Sequence, residues 1–128
     1  MVGQLNNREM KKIKNTKEAI DVFIDAATKH TTATLEGDYK TCNKNYDKMA
    51  NVVDYLKKEN ALYELEDLLN SKNVGVRTCA AAYLISVDSV SKKCQSVLSE
   101  ISHTEGIGIL QFNAEMVLKE WECGRLKL

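Results

Sequence analysis

The run NTKEAIDVFIDAATKHTTATLEGDYKTCNKNYDKMANVVDYLKK, residues 15–58, decides the fold. Asn15 or Thr16 can open a helix, because a short polar side chain accepts from the first free amides. Ala19, Ile20, Phe23, Ile24, Ala27 and Leu35 then recur at helical spacing until Gly37, a natural stop. The stripe thins between Ala27 and Leu35, where Thr31 and Thr34 hold the matching positions. Asp38 is placed to cap a second helix, whose apolar stripe reads Tyr39, Cys42, Tyr46, Met49, Val53 and Leu56. Two long helices joined by so short a turn are expected to fold back as an antiparallel hairpin.

Further along the chain the same grammar repeats. Asn60 is expected to cap a shorter helix carrying Leu62, Leu65, Leu68 and Leu69, followed by a polar turn at 70–73. Asn73 then caps a helix through Val76, Ala80, Ala81 and Leu84. Asp88 is expected to open another, with Val90, Cys94, Val97, Leu98 and Ile101. Gly106 and Gly108 punctuate a turn before a last helix holding Leu110, Ala114, Val117, Leu118 and Trp121, which Gly124 ends. No stretch alternates like a strand, and the chain has no proline to break a helix. The expectation is an all-α chain of about six helices in stacked antiparallel pairs, an α/α superhelix of HEAT or armadillo type.

Composition bounds the rest. With 44% hydrophobic and 28% charged residues among 128, the chain can bury one core without staples. It reads as a basic, flexible N-terminal arm, residues 1–15, and a single helical domain, residues 16–128. Arg8, Lys11, Lys12, Lys14 and Lys17 face only Glu9 near the start, so with zero net charge the body is mildly acidic. An acidic body argues against a nucleic-acid groove. Cys42, Cys79, Cys94 and Cys123 lie far apart without a CxxC pair, a poor pattern for zinc and a simple one for a reducing cytoplasm. No apolar run reaches membrane-spanning length, and no cofactor site is read.

Three segments carry a resemblance. They are LEGDYK at 35–40 with Asn43 and Tyr46, the turn LLNSKNVGVR at 68–77 with its following alanines, and FNAEMVLKEW at 112–121 ending at Gly124 and Leu126. Together they resemble a small bacterial HEAT-like family, catalogued as a domain of unknown function, over residues 18–126. In HEAT repeats a polar turn precedes a Val-Arg pair whose arginine ties adjacent layers; here asparagines stand where aspartates are usual. The resemblance implies a fold and no established activity. Related small α-superhelical proteins serve as immunity proteins beside bacterial polymorphic or contact-dependent toxins.

Candidate chemistry is sparse. Asp21 with Asp25, and Glu64 with Asp67, each share a helix face, but acid–base work needs a water-poor pocket that no pattern here supplies. His30 and His103 lack companion ligands and read as surface or capping residues. Gly106-Ile107-Gly108 precedes a helix without a preceding strand and reads as a turn. Two features point to protein binding: Tyr39, Asn43, Tyr46 and Asp47 on the second helix beside Asp38, and the acidic stretch Glu59, Glu64, Glu66 and Asp67 with no intervening cation. The expected function is a non-enzymatic protein-binding module. Its most concrete form is an immunity protein that masks a cognate, basic nuclease toxin domain through Tyr39, Asn43, Tyr46, Asp47, Glu64, Glu66 and Asp67. The alternatives are a helical-repeat adaptor, or an enzyme with an inter-helix ligand site using Tyr39, Asn43, Asp47 or Glu115. The sequence leaves the oligomeric state open.

Overall fold

Helix-forming periodicity dominates the computed structural model, which describes residues 13–126. The elements are α1 (Thr16–Glu36), α2 (Tyr39–Lys58), a 3₁₀ helix (Leu62–Asn70), α3 (Val74–Leu84), α4 (Ser91–Ser102) and α5 (Ile109–Glu122). The protein is all-α, with no strand among the described residues and with helices packed against each other in pairs. Most of the basic arm, residues 1–12, lies outside the described residues. The chain divides into two compact units, Met1–Glu64 and Leu65–Leu128.

In the first unit α1 and α2 pair along their length. Asn15 starts α1, its side-chain oxygen accepting from the Glu18 amide at 2.8 Å. Gly37 ends α1 in the left-handed region (φ 72°). The Gly37 amide donates to the Thr34 carbonyl and the Asp38 amide to the Ala33 carbonyl, a Schellman closure. Asp38 at once begins α2 by accepting from the Thr41 amide (3.1 Å) and hydroxyl (2.7 Å). The inward face of α1 is Ala19, Phe23, Ala26, Ala27 and Ala33; that of α2 is Asn45, Met49, Val52, Val53 and Leu56.

Asn60 does not play its expected part. Instead of capping the next helix it closes α2, with φ 54°. Its amide donates to the Lys57 carbonyl and that of Ala61 to the Leu56 carbonyl, the same pattern as at Gly37. Asparagine tolerates left-handed backbone better than other residues with a Cβ, so it serves either end of a helix.

The second unit packs α3 on α4 and α4 on α5, with a smaller contact between α3 and α5. Leu65, Leu69, Val76, Ala80, Ala81, Leu84, Ile85, Cys94, Leu98, Ile101 and Ala114 are buried. The polar turn forms as expected. Asn73 Oδ1 accepts from the amides of Gly75 (2.8 Å) and Val76 (3.2 Å). Arg77 Nη1 donates to the Ser71 carbonyl at 2.7 Å, so the arginine secures the turn that precedes its own helix. Asp88, however, sits in a turn. α4 begins at Ser91 after Val90, with no side-chain cap.

The Asn73 cap gives a direct test. Asn73→Ala is expected to destabilise the protein by about 1 kcal/mol, since two first-turn amides lose their acceptor, while Asn73→Ser costs much less. Urea unfolding midpoints of the two variants check this; equal midpoints would show that the cap contributes nothing.

Candidate functional site

The α1–α2 contact line explains which α2 residues remain available. Cys42, Asn45, Met49, Val52 and Leu56 are spaced three and four apart, the seam of a helix pair. Residues off that seam turn outward. Tyr39 is 80% exposed and Tyr46 50%, whereas Asn45 is only 3% exposed. The expected apolar stripe of α2 is therefore corrected in its first two turns: Asn45 is buried, and the two tyrosines are presented to solvent. With about 100° per residue, Tyr39, Asn43 and Tyr46 fall within an arc of roughly 60°, and Asp47 lies at its edge. All four are exposed. The structure thus brings the four sequence-nominated residues of α2 onto one face.

α1 supplies a neighbour in His30, which the sequence marks only as a surface or capping residue. The His30 ring lies across from Tyr46, with centroids 6.5 Å apart and planes inclined by 43°. It is half-buried, and desolvation pushes its pKa below the ordinary histidine value. Because the folded pKa is depressed, the associated stability is present above the unfolded value of about 6.5, begins to fall below it, and is lost as pH falls through the folded value. Stability is thus expected to drop as pH is lowered below about 6.5, and His30→Gln should flatten part of that drop. Unfolding midpoints compared across this range check it; an unchanged slope in the variant would refute the assignment. Asp38, by contrast, is spent as a cap. Its bonds to the Thr41 hydroxyl and amide hold its carboxyl below the usual range.

The acidic stretch divides between the two units, which meet in sequence after Glu64. Glu64 and Asp67 are exposed. Glu66 is half-exposed and faces Lys93 Nζ of α4 at 3.7 Å. One charge of the expected unbalanced ridge is therefore matched by a lysine that lies far along the sequence.

The remaining candidates are occupied by structural duties. Asp21 pairs with Lys17 (3.5 Å) and Asp25 with Lys29 (3.1 Å), both on solvent-exposed α1 surface. Glu115 pairs with Lys119 at 3.6 Å. His103 closes α4, its Nδ1 2.7 Å from the Ser99 carbonyl, so that nitrogen carries the proton and donates. Cys94 is buried, and desolvation first, then Glu66, pushes its thiol up to about 11. It is a small core hydrophobe and not a nucleophile at neutral pH. Gly106 and Gly108 both have positive φ in the turn before α5, and Gln111 Nε2 straps that turn to the Ser102 carbonyl at 2.8 Å. Among the described residues no group of three or more His, Cys, Asp or Glu is arranged to hold a metal ion.

One surface was not anticipated. In α5 only Ala114 is fully buried, while Ile109, Phe112 and Met116 are exposed. Their i, i+3, i+7 spacing, visible in the sequence, marks a second apolar stripe beside the one read from Leu110 to Trp121. Among the described residues no helix is long and apolar enough to cross a membrane. No protein-family model matches the chain, and no curated protein and no solved structure shows significant similarity to it.

Proposed function

We propose that this protein is a non-enzymatic binding module that recognises another protein through the outward face of α2, and that it acts as an immunity protein against a cognate bacterial toxin domain. The carrying observation is the display of Tyr39 and Tyr46 on one helix face with Asn43 and Asp47. Tyrosines held on a helix supply large contact area at small entropic cost, and aromatic anchors within a polar rim are the usual composition of a binding patch. Glu64 and Asp67 add exposed negative charge, which favours a basic partner such as a nuclease domain and speeds its capture. Four cysteines outside any disulfide suit a reducing cytoplasm, where an immunity protein meets its toxin.

The experiment is calorimetric titration of the full chain against the C-terminal domain of the protein encoded immediately upstream of its gene. A stoichiometric complex of about nanomolar affinity, on the order of −12 kcal/mol, is the expected result. Tyr46→Ala is expected to weaken it by at least about 1–2 kcal/mol, and the double change with Tyr39→Ala by more. Absence of binding refutes a neighbour-encoded partner. Full affinity in the double variant would remove the α2 face from the interface.

A further inference from the structure

The two halves of the α1–α2 hairpin are built from different material. Away from the turn, α1 buries Ala19, Phe23, Ala26 and Ala27 and α2 buries Met49, Val52, Val53 and Leu56. Next to the turn the only fully buried residues are Ala33 on α1 and Asn45 on α2. Asn45 Nδ2 donates to the Thr41 carbonyl of its own helix at 2.9 Å, but its buried Oδ1 accepts no hydrogen bond among the described residues. A buried acceptor without a donor opposes docking of the segment that carries it.

The helix on the other side is weakened as well. Thr28, Thr31, Thr32 and Thr34 turn their hydroxyls back onto the carbonyls of Ile24, Ala27, Thr28 and His30, at 2.8–3.2 Å. Such back-bonding diverts helix acceptors and tends to bend the helix, and β-branched residues are poor helix formers. Contacts that cross the interface here include a Thr34 Oγ1–Cys42 Sγ approach at 3.4 Å and the half-exposed His30–Tyr46 pair. Neither replaces the apolar burial found in the other half.

We infer that residues 28–46 form a conformational device, the turn-proximal half of the hairpin opening by local unfolding while the Phe23–Leu56 half stays folded. Opening units of this kind are set by low local burial, which is what this half has. Tyr39, Asn43 and Tyr46 ride on it, so the exposed α2 face is mounted on the adaptable half and can be re-formed around whatever it contacts. The inference does not depend on who the partner is.

Native-state amide exchange on the full chain, followed residue by residue by NMR in low urea, tests it. Helical amides within 28–46 are expected to exchange at least about tenfold faster than those of Phe23 and 49–56, with little urea dependence. Equal protection in the two halves, or a shared urea dependence, overturns the inference. Asn45→Leu, which removes the unpartnered acceptor, is expected to slow exchange within 28–46 by about tenfold and leave 49–56 unchanged. Thr32→Ala, at an exposed site, should act in the same direction more weakly whether or not leucine packs well at 45. Slowing of both halves alike would mean that the hairpin opens only as a whole, and no slowing in either variant would overturn the assignment of the opening to Asn45 and the threonines.

Discussion

Phe23→Ala is expected to destabilise the first unit by about 3–5 kcal/mol. Phe23 is wholly buried, and every other fully buried residue of α1 is an alanine. The substitution therefore removes the only large side chain of α1 that is fully buried. Neighbouring alanines cannot reach into the space, so the cavity persists and adds to the lost transfer energy. Set against the 5–15 kcal/mol typical of whole domains, a loss of this size leaves a substantial unfolded population. Urea denaturation followed by far-ultraviolet circular dichroism reads it directly. A shift worth less than about 1 kcal/mol would show that α1 is held by something other than its inward face.

Leu98→Ala should be the matching lesion in the second unit, at about 2–5 kcal/mol. α4 is the one helix there that packs extensively on two neighbours, α3 and α5, and its buried residues are Cys94, Leu98 and Ile101. Removing three side-chain carbons at 98, a methine and two methyls, weakens both contacts together. The chain has a single tryptophan, Trp121 on α5, so fluorescence reports the unfolding of this unit. The expected result is a midpoint well below that of the wild type. A much smaller loss than at Phe23 would indicate that α3 and α5 close over the space.

What the sequence displayed clearly was local chemistry. Asn15, Gly37, Asp38, Asn73 and Gly124 do their work within five or six residues of themselves, and each is where the helix grammar puts it. Asn60 and Asp88 misled because the same residue types suit several positions near a helix end or turn. The phase of α2 was harder. Tyrosine counts as apolar and asparagine as polar, so residue type favours a stripe through Tyr39 and Tyr46, whereas the three-four spacing of Cys42, Asn45, Met49, Val52 and Leu56 marks the buried seam. Side-chain type outvoted geometry. The Glu66–Lys93 pair lay beyond any local reading, since nothing near Glu66 in sequence announces the lysine.

Among the candidate residues, the face of Tyr39, Asn43, Tyr46 and Asp47 was legible because one helix fixes their relative directions. His30 was not, because its relation to Tyr46 exists only once α1 has folded back. The exposed stripe of Ile109, Phe112 and Met116 was hidden by a competing stripe on the same helix that satisfied the same rule.

The uneven packing of the hairpin also sets the order in which the chain gains its structure. The contacts nearest in sequence, Thr34 with Cys42 and His30 with Tyr46, are the cheapest to close and the least rewarding once made. A nascent hairpin thus gains little by zipping out from Gly37 and commits only when the Phe23 end of α1 reaches the Leu56 end of α2. The folding barrier of this hairpin is accordingly expected at the closure of a loop of some thirty residues, a local event by the standards of sheet proteins. With no proline anywhere in the chain, no slow prolyl isomerisation is expected to follow it.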